Sequence, residues 1–295
     1  MFLMSLGRYD EARAELQRAE VLGSSDLAIL RGYWLIAVLE DDLVQAEREI
    51  LRIAASEDPH WKYQALMMSA LGQLYRGQAE EALALLDEAG EVFPEPGPAK
   101  SNVLFQISLL EFDRGDPLEA LAAAEAAVEA GKGYGTDQSG QALVALAQAK
   151  LGRSQEAQSS FDAFVASMRD MPEKIVAREE NFISGCVALQ QGETQEAISR
   201  LSKAEADLPD SLFAEKGGVL LLFHLGVAHW EAGEREEAAR RFQRIIETDL
   251  PRASQPIPYV RSFYYLGSYY KDQGDQEKAR ENFERFLSYW KDGSL

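Results

Sequence analysis

Apolar positions along this chain keep step with a second pattern, a glycine followed five residues later by an alanine. The pair stands at Gly7…Ala12, Gly77…Ala82, Gly115…Ala120, Gly152…Ala157, Gly192…Ala197, Gly233…Ala238 and Gly274…Ala279. In an eighth instance, Asp41…Ala46, aspartate replaces glycine. Successive alanines lie 34, 36, 38, 37, 40, 41 and 41 residues apart. Four and seven positions after each alanine come Leu16 and Ala19, Ile50 and Ile53, Leu86 and Ala89, Ala124 and Ala127, Phe161 and Phe164, Leu201 and Ala204, Phe242 and Ile245, Phe283 and Phe286. That spacing places each pair on one face of a helix.

The pattern predicts a helix, a tight turn and a second, antiparallel helix, repeated. Glycine just past a helix end supplies the left-handed backbone that stops the first helix. Alanine then sits where two helices cross too closely for a larger side chain. No hairpin of this kind can bury its apolar face alone, so each must stack on its neighbours. The expectation is an all-α fold, an α-solenoid of about eight helix-turn-helix repeats in a single domain over 1–295. Approximate repeats are 1–25, 26–60, 61–99, 100–136, 137–173, 174–210, 211–252 and 253–295.

Composition agrees with this and narrows the partners. Hydrophobic residues make up 46 % of the chain and only 10 of 295 residues are proline, enough for a continuous helical core. Net charge is −19, which argues against a phosphate-backbone or anionic-membrane partner and leaves a basic or neutral one. The charge is uneven: residues 77–130 carry 12 acids against Lys100 and Arg114, whereas 250–295 carry 7 bases and 6 acids. An acidic flank beside an aromatic-rich end could steer a basic partner. The lone cysteine, Cys186, permits no intrachain disulfide. The opening seven residues are too short and too soon polar for a secretory signal. The most apolar stretch, 217–233, carries His224 and His229 and falls short of a membrane span. A cytoplasmic location is expected.

Candidate chemistry is sparse. His224 and His229 are five apart on a helix, a spacing that does not bring them side by side for a metal. Cys186 has no neighbouring histidine or basic group to activate it. The run from Gly131 to Gly135 lacks the glycine–lysine–serine/threonine order of a phosphate loop and follows no strand, so it is expected to be an inter-repeat loop. No enzyme activity, metal or cofactor is expected.

The segments Leu225-Gly226…His229…Gly233 and Leu266-Gly267…Tyr270…Gly274, with Gly185 in the same slot of the sixth repeat, resemble the tetratricopeptide repeat family. The third repeat departs from the pattern, because Leu71-Gly72…Tyr75…Gly77 is two residues shorter. The resemblance implies a right-handed superhelix whose first helices line a concave groove. Counting back from the turn glycines, its groove-facing residues include Met67, Phe105, Phe112, Phe182, Phe223, Trp230, Tyr264 and Lys271, a stripe suited to an apolar segment. The same positions also suit inter-repeat core. Asn102, Asn181 and Asn282 are not arranged as in the family's chaperone-tail clamps.

The last 45 residues are similar to the end of large bacterial proteins of this family, which often carry a kinase or DNA-binding domain in front. Only a few residues precede Gly7, where a whole first helix is expected, which suggests a fragment or a first repeat capped by something else. The resemblance implies a non-catalytic protein–protein interaction scaffold, the repeat array of a bacterial signalling or regulatory protein. The alternative is an array that senses a small molecule or short peptide and controls an attached effector domain.

Overall fold

The computed structural model describes residues 2–23, 26–208, 216–248, 253–291 and 293, and among them only helices and turns occur. A four-residue helix α1 (Phe2–Ser5) leads into α2 (Tyr9–Val21), so the first hairpin has only a stub for its first arm. Seven full hairpins follow: α3 (Leu27–Leu39) with α4 (Leu43–Ala54), α5 (Pro59–Tyr75) with α6 (Ala79–Val92), α7 (Pro98–Arg114) with α8 (Pro117–Gly131), α9 (Asp137–Lys150) with α10 (Ser154–Ser167), α11 (Glu173–Gln190) with α12 (Thr194–Ala206), α13 (Lys216–Glu231) with α14 (Arg235–Ile246), and α15 (Pro256–Asp272) with α16 (Gln276–Trp290). The chain is an α-solenoid, as the periodicity predicts.

Every turn is built alike. Gly7, Gly77, Gly115, Gly152, Gly192, Gly233 and Gly274 all have φ between 68° and 84°. The residue after each donates its backbone N–H to a carbonyl five residues back, for example Glu234 to His229 at 2.9 Å and Asp275 to Tyr270 at 2.9 Å, which closes the helix end. Asp42, Asp116 and Asp275 then cap the following helix, their carboxylates accepting from Gln45, Glu119 and Lys278 N–H groups. Asp41 holds the same left-handed position with φ 61°, the one non-glycine residue with positive φ among those described.

The alanines five residues past the turns are all 5 % exposed or less. Opposite them, a Cβ added to Gly185, Gly226 or Gly267 would lie 2.7–2.8 Å from Leu201, Phe242 or Phe283, so only glycine allows these crossings as they stand. In the third hairpin the small slot is taken by Ala70, which is 2 % exposed. Leu71-Gly72 therefore does not occupy the family's Leu-Gly position: a Cβ on Gly72 would meet nothing within 4 Å. Gly131 to Gly135 ends α8 and forms the loop before α9, with Gly133 and Gly135 at positive φ.

Stacking of neighbours is not the only long-range contact. Helix α15 packs against α5 as well as against α14. One buried cluster joins Ile36, Leu39, Tyr63, Leu74 and Tyr75 to Ile257, Tyr259, Val260, Phe263, Tyr289 and Trp290. Trp290 Nε1 donates to the Leu74 carbonyl at 3.2 Å, Arg285 and the Tyr289 hydroxyl both engage the Asp41 carboxylate, and Arg261 pairs with Asp113 at 2.8 Å. The last hairpin thus folds back on the second, third and fourth and closes the array along a seam.

Candidate binding cavity

A partly open cavity of about 500 Å3 lies among the first helices of the last five hairpins. Its walls are mainly apolar: Phe105, Leu109 and Phe112 from α7, Leu143 and Leu146 from α9, Phe182, Ile183 and Cys186 from α11, Phe223 and Val227 from α13, and Tyr265 from α15. Ring edges interlock, Phe182 lying 6.0 Å from His224 and Phe223 6.2 Å from Tyr265 between centroids. A cavity of this size and character is typical of ligand sites, with few polar groups fixing orientation.

Those polar groups sit where α7, α13 and α15 meet. Arg261 donates through Nη1 to Asp113 Oδ1 at 2.8 Å and through Nη2 to the Asp113 carbonyl at 3.1 Å, across 148 residues of sequence. Burial pushes the Asp113 carboxyl up, while Arg261 and then His224 pull it back. His224 Nδ1 lies 2.8 Å from the Leu220 carbonyl. A carbonyl only accepts, so Nδ1 carries the proton, and burial lowers the ring's pKa and favours the neutral form. Nε2 is then an acceptor on a ring that lines the cavity. Glu179, Glu231 and Lys150 complete the charged lining. Cys186 is buried, and burial pushes its thiol pKa up, away from a reactive thiolate. Among the described residues no group of three or more His, Cys, Asp or Glu side chains is placed to hold a metal ion.

Of the stripe expected to face a groove, Phe105, Phe112, Phe182 and Phe223 come together in this cavity. Met67 instead packs half-buried against the N-terminal core. Trp230 lies under the Arg235 guanidinium, 3.6 Å from its ring centre, with Tyr265 at its edge. Tyr264 is 49 % exposed beside Phe283 and Phe286, and Lys271 is exposed near the end of α15. His229 is buried on α13 against Glu234. Asp113, His224, Arg261 and Tyr265 also line the cavity, though none is among the residues expected to face a groove. Ile183, His224 and Tyr265 share one register, nine positions before their turn glycines, a signal that an extra step of the same count would have found. Nothing in the repeat pattern indicates that Asp113 and Arg261 meet.

Among the described residues no helix is long and apolar enough to cross a membrane. The sequence model of the tetratricopeptide repeat family matches residues 223–294. The photosystem I assembly protein Ycf3 of Rippkaea orientalis is 21 % identical over 144 residues, which is 47 % of this chain and 82 % of that protein. Among solved structures, a Rap protein complexed with competence and sporulation factor superposes with a TM-score of 0.53 at 13 % identity, covering 97 % of this chain and 94 % of that one. The human IFIT1 dimer with m7Gppp-AAAA gives 0.52 at 17 % identity, covering 97 % and 66 %. These two likenesses concern the fold. The turn recurs from hairpin to hairpin, and over its last two hairpins this α-solenoid matches the tetratricopeptide repeat family.

Proposed function

We propose that this chain is a non-catalytic interaction scaffold that takes a short, largely apolar segment of a partner protein into the cavity between α7, α9, α11, α13 and α15. The observation that carries the reading is the convergence of Phe105, Phe112, Phe182 and Phe223 on one apolar space of about 500 Å3. Repeats of this type generally mediate protein–protein contacts, and the relative Ycf3 is named for assembly. The net charge of −19 favours a basic partner. A cytoplasmic setting and a role as the repeat array of a bacterial regulatory protein fit the single, buried cysteine and the similarity of the last hairpin to such proteins.

Leu146→Trp fills the cavity from α9 and tests the reading. A benzophenone amino acid at position 105 should crosslink to the partner segment in the parent protein and fail to do so once Leu146→Trp is added, at unchanged melting temperature. Crosslinking that persists undiminished in the filled cavity would place binding elsewhere. The apolar lining and volume of the cavity favour one second reading, a sensor of a small apolar molecule. A metabolite that raises the melting temperature of the parent but not of Leu146→Trp would select it.

A further inference from the structure

Within the mainly apolar lining, Asp113 and His224 stand together as two acceptors. His224, with Nδ1 committed to Leu220, offers only a lone pair at Nε2. Asp113 uses Oδ1 to accept from Arg261. Elsewhere on the lining Glu179 pairs with Arg178 at 2.7 Å, and Glu231 and Lys150 stand at the C-terminal ends of α13 and α9. Arg261 spends two of its nitrogens on Asp113 itself. Aromatic faces, which attract cations, supply most of the remaining wall.

Resting on the cavity reading above, we infer that the segment bound there presents one cationic side chain, a lysine or arginine within apolar neighbours, and that Asp113 with His224 receives it. Asp113 supplies the charge and His224 Nε2 an acceptor. Arg261 is the internal competitor for the same carboxylate, so an incoming ammonium shares or displaces its bond. The pair also ties α15 to α7, so recognition of the cation acts directly on the seam that closes the array.

The test uses blocked short peptides of leucine and alanine, alike except for a central Lys, Gln or Glu, titrated calorimetrically into the full chain. In the parent, the Lys peptide should bind about tenfold more tightly than the Gln peptide, with the Glu peptide weakest. Asp113→Asn and Arg261→Gln break the same seam bond, so loosening alone would move both variants the same way. Cation recognition predicts opposite effects: Asp113→Asn removes the preference for Lys, and Arg261→Gln enlarges it. His224→Phe should reduce the preference without abolishing it. Equal binding of Lys and Gln peptides, or a parallel response of the two seam variants, would overturn the assignment and leave the cavity reading standing. If no peptide binds, or if all bind equally to Leu146→Trp, the cavity reading falls and the cation proposal with it.

Discussion

Where α13 crosses α14, small residues decide the geometry: Gly226 lies under the ring of Phe242, and Ala238 and Phe242 are both fully buried. Where α16 meets the start of the array, large aromatics and long-range polar contacts do the same task. Trp290 reaches the Leu74 carbonyl, and Tyr75, Tyr259, Phe263 and Tyr289 pack ring to ring. The first kind of contact recurs wherever the sequence repeats, because neighbouring hairpins meet in one fixed relation. The second occurs once, between parts of the chain with no register to share. Its residues are chosen for reach and directionality rather than for small size.

The strongest way to separate the two is Trp290→Ala, expected to cost about 3–5 kcal/mol, the usual range for removing a buried tryptophan. Amide exchange should accelerate in α3–α5 and α15–α16 and keep its protection in α9–α12. A uniform loss of protection would mean that the seam is no separate unit. Ala238→Leu, placed in a repeating crossing, is expected to cost about 1–3 kcal/mol through overpacking. There the denaturation midpoint should fall with exchange accelerating locally in α13 and α14, and an unshifted midpoint would remove the close-crossing account.

A smaller effect is expected at Asp41. Asp41→Ala keeps a strained left-handed residue and strips Arg285 and Tyr289 of their partner, at a cost of about 1–2 kcal/mol. Asp41→Gly also loses the partner but relieves the backbone, so it should melt above Asp41→Ala. The reverse order would deny strain at this turn. Burial, then Tyr259 and the Asp41 carboxylate, push the Tyr289 phenol upward in pKa, so in the parent protein it stays protonated and donates to Asp41. The smallest change, Gly72→Ala, should stabilise α5 by about 0.5–1 kcal/mol, since open space surrounds the new methyl and helix propensity improves. A loss of stability would show that Gly72 is packed after all.

These variants also mark how far the sequence could be read. The hairpins were legible because turn glycine, crossing alanine and apolar face are local properties, set within a few residues of one another. The third repeat departs from the family spacing because its buried small residue is Ala70, seven positions before Gly77, whereas Gly72 borders open space. Half of the expected stripe reached the cavity, from hairpins four, six and seven. In the last hairpin the same count selects Tyr264, which faces outward, while its neighbour Tyr265 and Arg261 face the cavity. Closure depends on Asp41 meeting Arg285 and Asp113 meeting Arg261, contacts 244 and 148 residues apart, for which a repeat pattern has no marker.

Asp41 in place of the turn glycine looks like a worn repeat when read along the sequence. In mechanical terms it is a fastener. A solenoid held only by neighbour contacts stretches like a spring, its hairpins parting gradually under load. Pulled between residue 23 and residue 291, this molecule would first have to unlock Asp41, Leu74 and Asp113 from the last hairpin, loaded side by side. Its extension should begin with a single rupture at a threshold force, followed by softer unwinding of the stack.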